Sequence, residues 1–317
     1  MPNEIPISGA GSAGVLLPEE QGAILTNGVL QENGALRLAG DSRTTDKRKS
    51  TFPIWLGRPT AGPVGEGARK PVTGAEFGQA ELHVRKFASI VLFTDEQLED
   101  VQDGDLNVLV DSGVRQALAQ SIDAHIVGKE NGANITSVFD TALRSTAATP
   151  VEVDLSKPDG LQLAISAAMG TLEDNGYGNP DNMGVLLGHG FQRIIRDAKE
   201  DDSNGVSQRR LYGAGEDPLY GLDRAISTNL NRASEAAADG NIVGFVIHKP
   251  NLHVRLRTDV RVKVDQSATV ELPAPMQDGR TSVNLFQDNM TAVRYEMRLG
   301  VLVHDLDRAV VPLVNAS

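Results

Sequence analysis

Two segments near the C-terminus alternate apolar and polar residues with a period of two, the spacing of a strand that buries one face. In "LHVRLRTDVRVKVD" (252–265), Leu252, Val254, Leu256, Val260, Val262 and Val264 fall on one face, and His253, Arg255, Arg257, Arg261 and Lys263 on the other. "TAVRYEMRLGVLVH" (291–304) repeats the pattern through Val293, Tyr295, Met297, Leu299, Val301 and Val303, and "AVVPLV" (309–314) closes the chain. "NMGVLLG" (182–188) is an unbroken apolar run of the length of a fully buried strand. A helical period governs Leu106, Val110, Val114, Ala117, Leu118 and Ile122, which predicts a long helix over 105–132 stopped by Gly128 and Gly132. At about 1.5 Å per residue such a helix is roughly 35 Å long up to the first of those glycines. A helix start precedes it at "TDEQLED" (94–100), where Thr94 and Gln97 form a capping box with acids in the first turn. Leu161, Ile165, Ala168 and Leu172 define a second amphipathic helix with Pro158 in its first turn, and Phe191, Ile194, Ile195 and Ala198 a short third one. No internal repeat is visible.

The patterning fails in two places. Residues 1–50 are rich in Gly, Ser, Asn and Pro, and predict an extended arm with a short helix or two, ending in the charged run "RTTDKRK" (43–49). In 50–93, "TFPIWL" and "ELHVRKFASIVLF" are β-compatible, but roughly two dozen Gly- and Pro-rich residues separate them. A loop of that length inside a compact domain is uncommon and usually functional. Two strands bracketing it predict a long hairpin that reaches away from the body. With so few apolar residues, such an arm has to lie on something else.

Composition narrows the function. The 317 residues are 40% hydrophobic and 23% charged, ordinary for a globular protein of one elaborate domain or two. Cysteine is absent, which removes disulfides, thiol catalysis and cysteine-based zinc sites. No apolar run is long enough to span a bilayer, and the N-terminus lacks the basic start and apolar block of a secretory signal. The net charge of −12 argues against a protein that grips DNA by neutralising phosphates, since basic residues occur only in local clusters.

Catalytic motifs fail in detail. "GPVGEGARKP" (62–71) has P-loop-like glycines at Gly62 and Gly67, but Ala68 and Arg69 separate Gly67 from Lys70, and Pro71 follows. Lys70 also stands where a dinucleotide fingerprint needs its third glycine. The six histidines (83, 125, 189, 248, 253, 304) are scattered, and no GxSxG elbow occurs. "EDDSNG" (200–205) resembles part of a calcium loop, but Leu211 stands at the position of the bidentate glutamate. Asp305 and Asp307 read as a turn between strands. The expectation is no enzyme, no metal and no cofactor.

The order of parts resembles one family. An arm, a glycine-rich hairpin, a long helix, a mixed block and a β-rich end are similar to the major capsid protein of tailed double-stranded DNA bacteriophages, the Hong Kong 97-type fold. "WLGRPTAGPVGEGARKPVTGAEFGQAELHVRKFASIVLFTDEQLED" resembles the family's extended loop, with its Glu66–Gly67 pair and Lys70–Pro71 step. "QALAQSIDAHIVGKENG" is similar to the end of its spine helix, where an Asp precedes a glycine-punctuated exit. "VNLFQDNMTAVRYEMRLGVLVHDLDRAVV" (283–311) resembles its C-terminal strand pair.

The resemblance covers roughly residues 20–314 and implies an α+β fold. Its parts would be an N-terminal arm (1–49), an extended loop with flanking strands (50–93), a peripheral domain with the spine helix (94–147) and an axial domain (148–245). Residues 246–317 would return to the peripheral domain, their last strand a candidate to join the axial one. The implied function is self-assembly through pentamers and hexamers into an icosahedral shell around double-stranded DNA. The alternative is an encapsulin-type bacterial nanocompartment with the same fold. Inter-subunit contacts fall on Glu66, Arg69, Lys70 and Arg58. Implied partners are other copies, a scaffolding protein that is separate or already removed, a portal and decoration proteins. The implied location is the virion capsid, assembled in the cytoplasm of the bacterial host. Some members form Lys–Asn cross-links, though most do not; here Lys70 is the only lysine in the loop, and Asn284 and Asn289 lie in the C-terminal region.

Overall fold

The computed structural model describes residues 18–55, 61–66, 69, 70, 72, 74, 77–96, 103–155, 157, 159–191, 194, 219–230, 242–272 and 280–315. Two sheets organise them. In the four-stranded sheet, β1 (Asp41–Thr44) runs parallel to β11 (Leu252–Asp265), which pairs antiparallel with β14 (Met290–Val303), and β14 with β4 (Arg85–Thr94). The five-stranded sheet has the order β7 (Val151–Val153), β15 (Val310–Asn315), β10 (Ile242–His248), β8 (Met183–Leu187), β9 (Asp223–Ile226).

The predicted alternation builds the first sheet. Val254 and Val260 of β11 and Tyr295, Met297, Leu299 and Val301 of β14 turn one face into the main core. The long helix α3 (Asp103–Val127) covers that face through Val114, Leu118, Ile122 and Ile126. The unalternating runs of β8 and β10 have the cause expected of strands buried on both faces. Leu186, Phe245 and Ile247 point into the main core, while Val185, Leu187, Val243 and Val246 point into a second core under helix α4 (Gly160–Asp174). Helix α4 buries the predicted Leu161, Ile165, Ala168 and Leu172.

Several expectations need correction. Of the expected extended arm with a short helix or two, residues 18–44 show the helices but not the extension: they form α1 (Pro18–Glu32), α2 (Gly34–Arg37) and β1, and Leu25, Val29, Ala35, Leu36 and Leu38 sit in the main core. Helix α1 packs close because its polar and small residues fit the body. The Thr26 hydroxyl accepts the Val260 N–H at 2.9 Å, and the Arg115 side chain occupies the space a Cβ on Gly28 would need. Helix α3 ends at Val127, before the expected 132, because Gly128 turns to φ +83°. Asn131 and Gly132, at φ +48° and +85°, then make the two-residue turn between β5 (Lys129–Glu130) and β6 (Ala133–Asn134). Ala117 is exposed, and Ala119 is buried instead. Val264 is half exposed, since it lies at the open end of β11. Gln97, Pro158, Ile195, Ala198, the 200–205 segment and the side chains of Leu106 and Val110 lie outside the described residues.

Candidate assembly interface

The hairpin predicted between 50 and 93 is present. β2 (Lys49–Trp55) pairs antiparallel with β3 (Phe77–His83), in register from Lys49↔His83 to Trp55↔Phe77, as a two-stranded ribbon separate from both sheets. The single long strand expected over 81–93 is broken at Val84, where the ribbon departs from β4.

The root of the ribbon is built into the body. Leu82 is fully buried and lies on Gly300 of β14, where an added Cβ would meet the His83 carbonyl oxygen at 2.8 Å. Phe52 stacks on His253 at 5.2 Å between ring centroids, and the Arg255 guanidinium lies 4.6 Å from the Phe52 centroid. Arg255 thus lies on the polar face of β11, as predicted, and is nevertheless buried, because Phe52 roofs it. Its Nη2 donates to Asp41 Oδ2 at 2.8 Å, and His253 Nδ1 lies 3.2 Å from the same oxygen. The Arg255 hydrogen bond holds the Asp41 carboxyl below the usual carboxylate range against the opposing effect of burial, with His253 and Arg43 adding to it. Across the break, Asp140 accepts from or pairs with His83 (2.7 Å) and Arg85 (3.6 Å).

The far end differs. Residues 61–66 are exposed, with Val64 at 41%, Val72 at 94% and Phe77 at 59% exposure. Glu66, Arg69 and Lys70 are all exposed here, so the structure brings three of the four sequence-predicted contact residues to the same projecting end. Arg58 lies outside the described residues.

A second polar assembly joins three parts of the chain. Asp123, in the last turns of α3, is buried and accepts from the Ala35 N–H (3.1 Å), the Ser227 hydroxyl and Asn229 Nδ2 (3.1 Å). Asn33 caps α2 through the Leu36 N–H (2.9 Å) and donates to the Ala119 carbonyl (2.9 Å). Burial raises the Asp123 pKa, opposed by the bonds from Ser227, Ala35 and Asn229. This is the Asp of the helix-exit segment. Its signal was an acid next to the apolar stripe, and its partners, far away in sequence, were not readable.

Asp305 accepts from the Tyr177 hydroxyl (2.7 Å), while Asp307 accepts from the Ala147 N–H (2.7 Å), so the two do not converge. Among the described residues no group of three or more His, Asp or Glu could hold a metal. A cleft of about 690 Å³ between α3 and β4 contains His125, Ser121 and Ser137. His125 Nδ1 meets no hydrogen-bond partner there, and the Ser137 hydroxyl donates to the His125 carbonyl oxygen at 2.6 Å. Burial lowers the His125 pKa, with Glu130 opposing.

Among the described residues the body holds two large apolar cores, and the hairpin adds none of its own. The chain belongs to the phage capsid family, whose model matches residues 13–314. It is a capsid shell protein of the bacteriophage type, and its place is the virion capsid. Solved structures share the fold. One from Mycobacterium phage Cain is 17% identical with a TM-score of 0.62, over 90% of each chain. One from Gordonia phage Cozz is 20% identical with a TM-score of 0.61, over 100% of this chain and 92% of that one. The capsid of an empty GTA particle is 14% identical with a TM-score of 0.60, over 98% and 94%. No curated protein sequence matches the chain.

Proposed function

We propose that this chain is the major capsid protein that assembles through pentamers and hexamers into an icosahedral shell enclosing the double-stranded DNA of a tailed bacteriophage. The observation that carries the reading is the ribbon β2–β3, fixed at its root and apolar yet exposed towards its tip. Val72 and Phe77 gain burial only when another surface arrives, and family membership supports another copy as that surface. In this reading Glu66, Arg69, Lys70 and Arg58 touch the neighbour, and the ribbon is the extended loop. The helix α3 with the four-stranded sheet is the peripheral domain, and the five-stranded sheet with α4 the axial one. The two separate cores support that division. The protein acts by assembly rather than catalysis. A scaffolding protein, a portal and decoration proteins are its partners, and assembly takes place in the host cytoplasm.

Negative-stain imaging and sedimentation of the purified full chain test this. Pentamers, hexamers or closed shells are expected. A stable monomer at high concentration would overturn it. Shells recovered from the host with an enzyme inside, and no DNA, would favour the nanocompartment instead.

A further inference from the structure

The outer face of the four-stranded sheet, opposite α3, is covered at both ends and open between them. At one end lies the ribbon root, with Phe52 over Arg255 and Leu82 on Gly300. At the other, the hairpin of β12 (Thr269–Glu271) and β13 (Ser282–Asn284) packs through Val270 and Val283 with Leu92 and Ala292. Three cross-strand rows remain: Thr258–Arg298–Lys86, Arg261–Glu296–Ala88 and Lys263–Arg294–Ile90. With strands about 4.8 Å apart and alternate residues about 6.8 Å apart, the rows form a plaque of roughly 10 by 14 Å.

Five of those nine positions are cationic and one is acidic. Lys86 and Arg294 reach Glu296 at 3.2 and 3.3 Å, and despite its burial the Glu296 pKa is lowered by Lys86, Arg294 and Arg298. Glu296 thus neutralises only one of the five charges. Arg261 and Lys263 are exposed, and Ile90 is 50% exposed in the same plaque. A sheet face with this surplus of like charge, in a chain of net charge −12, is built to meet an acidic surface.

We infer that this plaque docks a second copy of the chain through the acidic segment 95–105. That segment, "DEQLEDVQDGD", carries six carboxylates and no base, the densest acidic run in the sequence. The hairpin tip does not compete on charge, because Glu66 and Glu76 balance Arg69 and Lys70 over 62–76. In the chain's own fold, Asp95 leaves β4 at the β12–β13 end, away from the plaque, its N–H donating to Asn289 O at 3.0 Å. A duplex nucleic acid suits the plaque less well. It would have to bring phosphates against Glu296 at the centre of a patch closed by hairpins at both ends. The inference rests on the shell reading, and it makes the contact heterologous, of the kind that closes into rings.

The test is a charge swap in the full chain. Arg261→Glu with Lys263→Glu should lower shell yield about tenfold at low salt, and so should Glu99→Lys with Asp100→Lys. All four substitutions together should restore most of it. Subunit melting should stay near wild type in each, and the milder Arg261→Gln with Lys263→Gln should show an intermediate loss. Wild-type yield from both double variants, or no recovery in the fourfold one, overturns the inference and leaves the shell reading standing. So do plaque variants that assemble normally and lose only nucleic acid. A wild-type chain that never oligomerises takes both readings down.

Discussion

The five-stranded sheet and the β2–β3 ribbon are both β-structure, yet they use their side chains in opposite ways. In β8 every residue is buried, and Phe245 and Val246 of β10 face different cores. In the ribbon, burial is concentrated at the root, and exposure grows towards Phe77 and Val72. The sheet therefore carries stability of the single chain. The ribbon holds interaction capacity that the single chain leaves unused.

This contrast breaks most visibly in the sheet. Phe245→Ala should destabilise the subunit by about 3–5 kcal/mol, because it opens a cavity beside Ile247 and Leu186. Denaturant unfolding measures it, and a loss below about 1 kcal/mol would mean that the sheet is not the stable part. Asp123→Ala comes next, at about 1–3 kcal/mol, since the Ala35 N–H and the Ser227 and Asn229 side chains lose their acceptor. The pH dependence at Asp123 has a definite sign. Its folded pKa is raised, so the unfolded chain releases the proton first, near 3.9. Stability from this site is full below that value and declines as pH rises through the folded pKa. Asp123→Asn should remove that decline from the difference between the two pH profiles.

At the ribbon root, Asp41→Asn should cost about 1–2 kcal/mol, as Arg255 and His253 lose their carboxylate. The lowered pKa gives the opposite sign here. The contribution is present above about pH 3.9 and lost as pH falls through the folded value, which acid titration of wild type against the variant would display. The smallest effect on the subunit belongs to the tip. Glu66→Lys or Lys70→Glu should change melting by less than about 0.5 kcal/mol while lowering shell yield. Unchanged assembly kinetics in both would show that these charges only face solvent.

What was legible in the sequence follows from how local its cause is. The stripe Leu161–Ile165–Ala168–Leu172 and the alternation of 252–265 and 291–304 are one-element patterns, and each appears in the structure. The ribbon was legible because its glycines and prolines left it nothing to fold against. Helix α1 was legible only as one of a short helix or two in an arm, because "PEEQGAILTNGVLQE" contains Gly22, Thr26, Asn27 and Gly28, poor helix formers. Its helicity comes from tertiary partners, Val260 for Thr26 and Arg115 at Gly28, which no window along the chain contains. The three-way joint at Asp123 escaped for the same reason. The tip residues Glu66, Arg69 and Lys70 were readable as exposed, since nothing nearby could bury them.

The ribbon's ladder has one more consequence, which concerns length. All seven residues of β2 are matched to β3, from Lys49↔His83 outward, and the root is fixed from beneath by Leu82 and Phe52. Strand alignment is therefore decided at the body, before the chain reaches the turn. Residues added between Gly62 and Gly65 lengthen a closed loop, at a cost of only about 0.6 kcal/mol per doubling, and displace no row of the ladder. The turn is thus the part of this subunit that can accept spliced-in peptide, carried outward on a stalk whose register is already set.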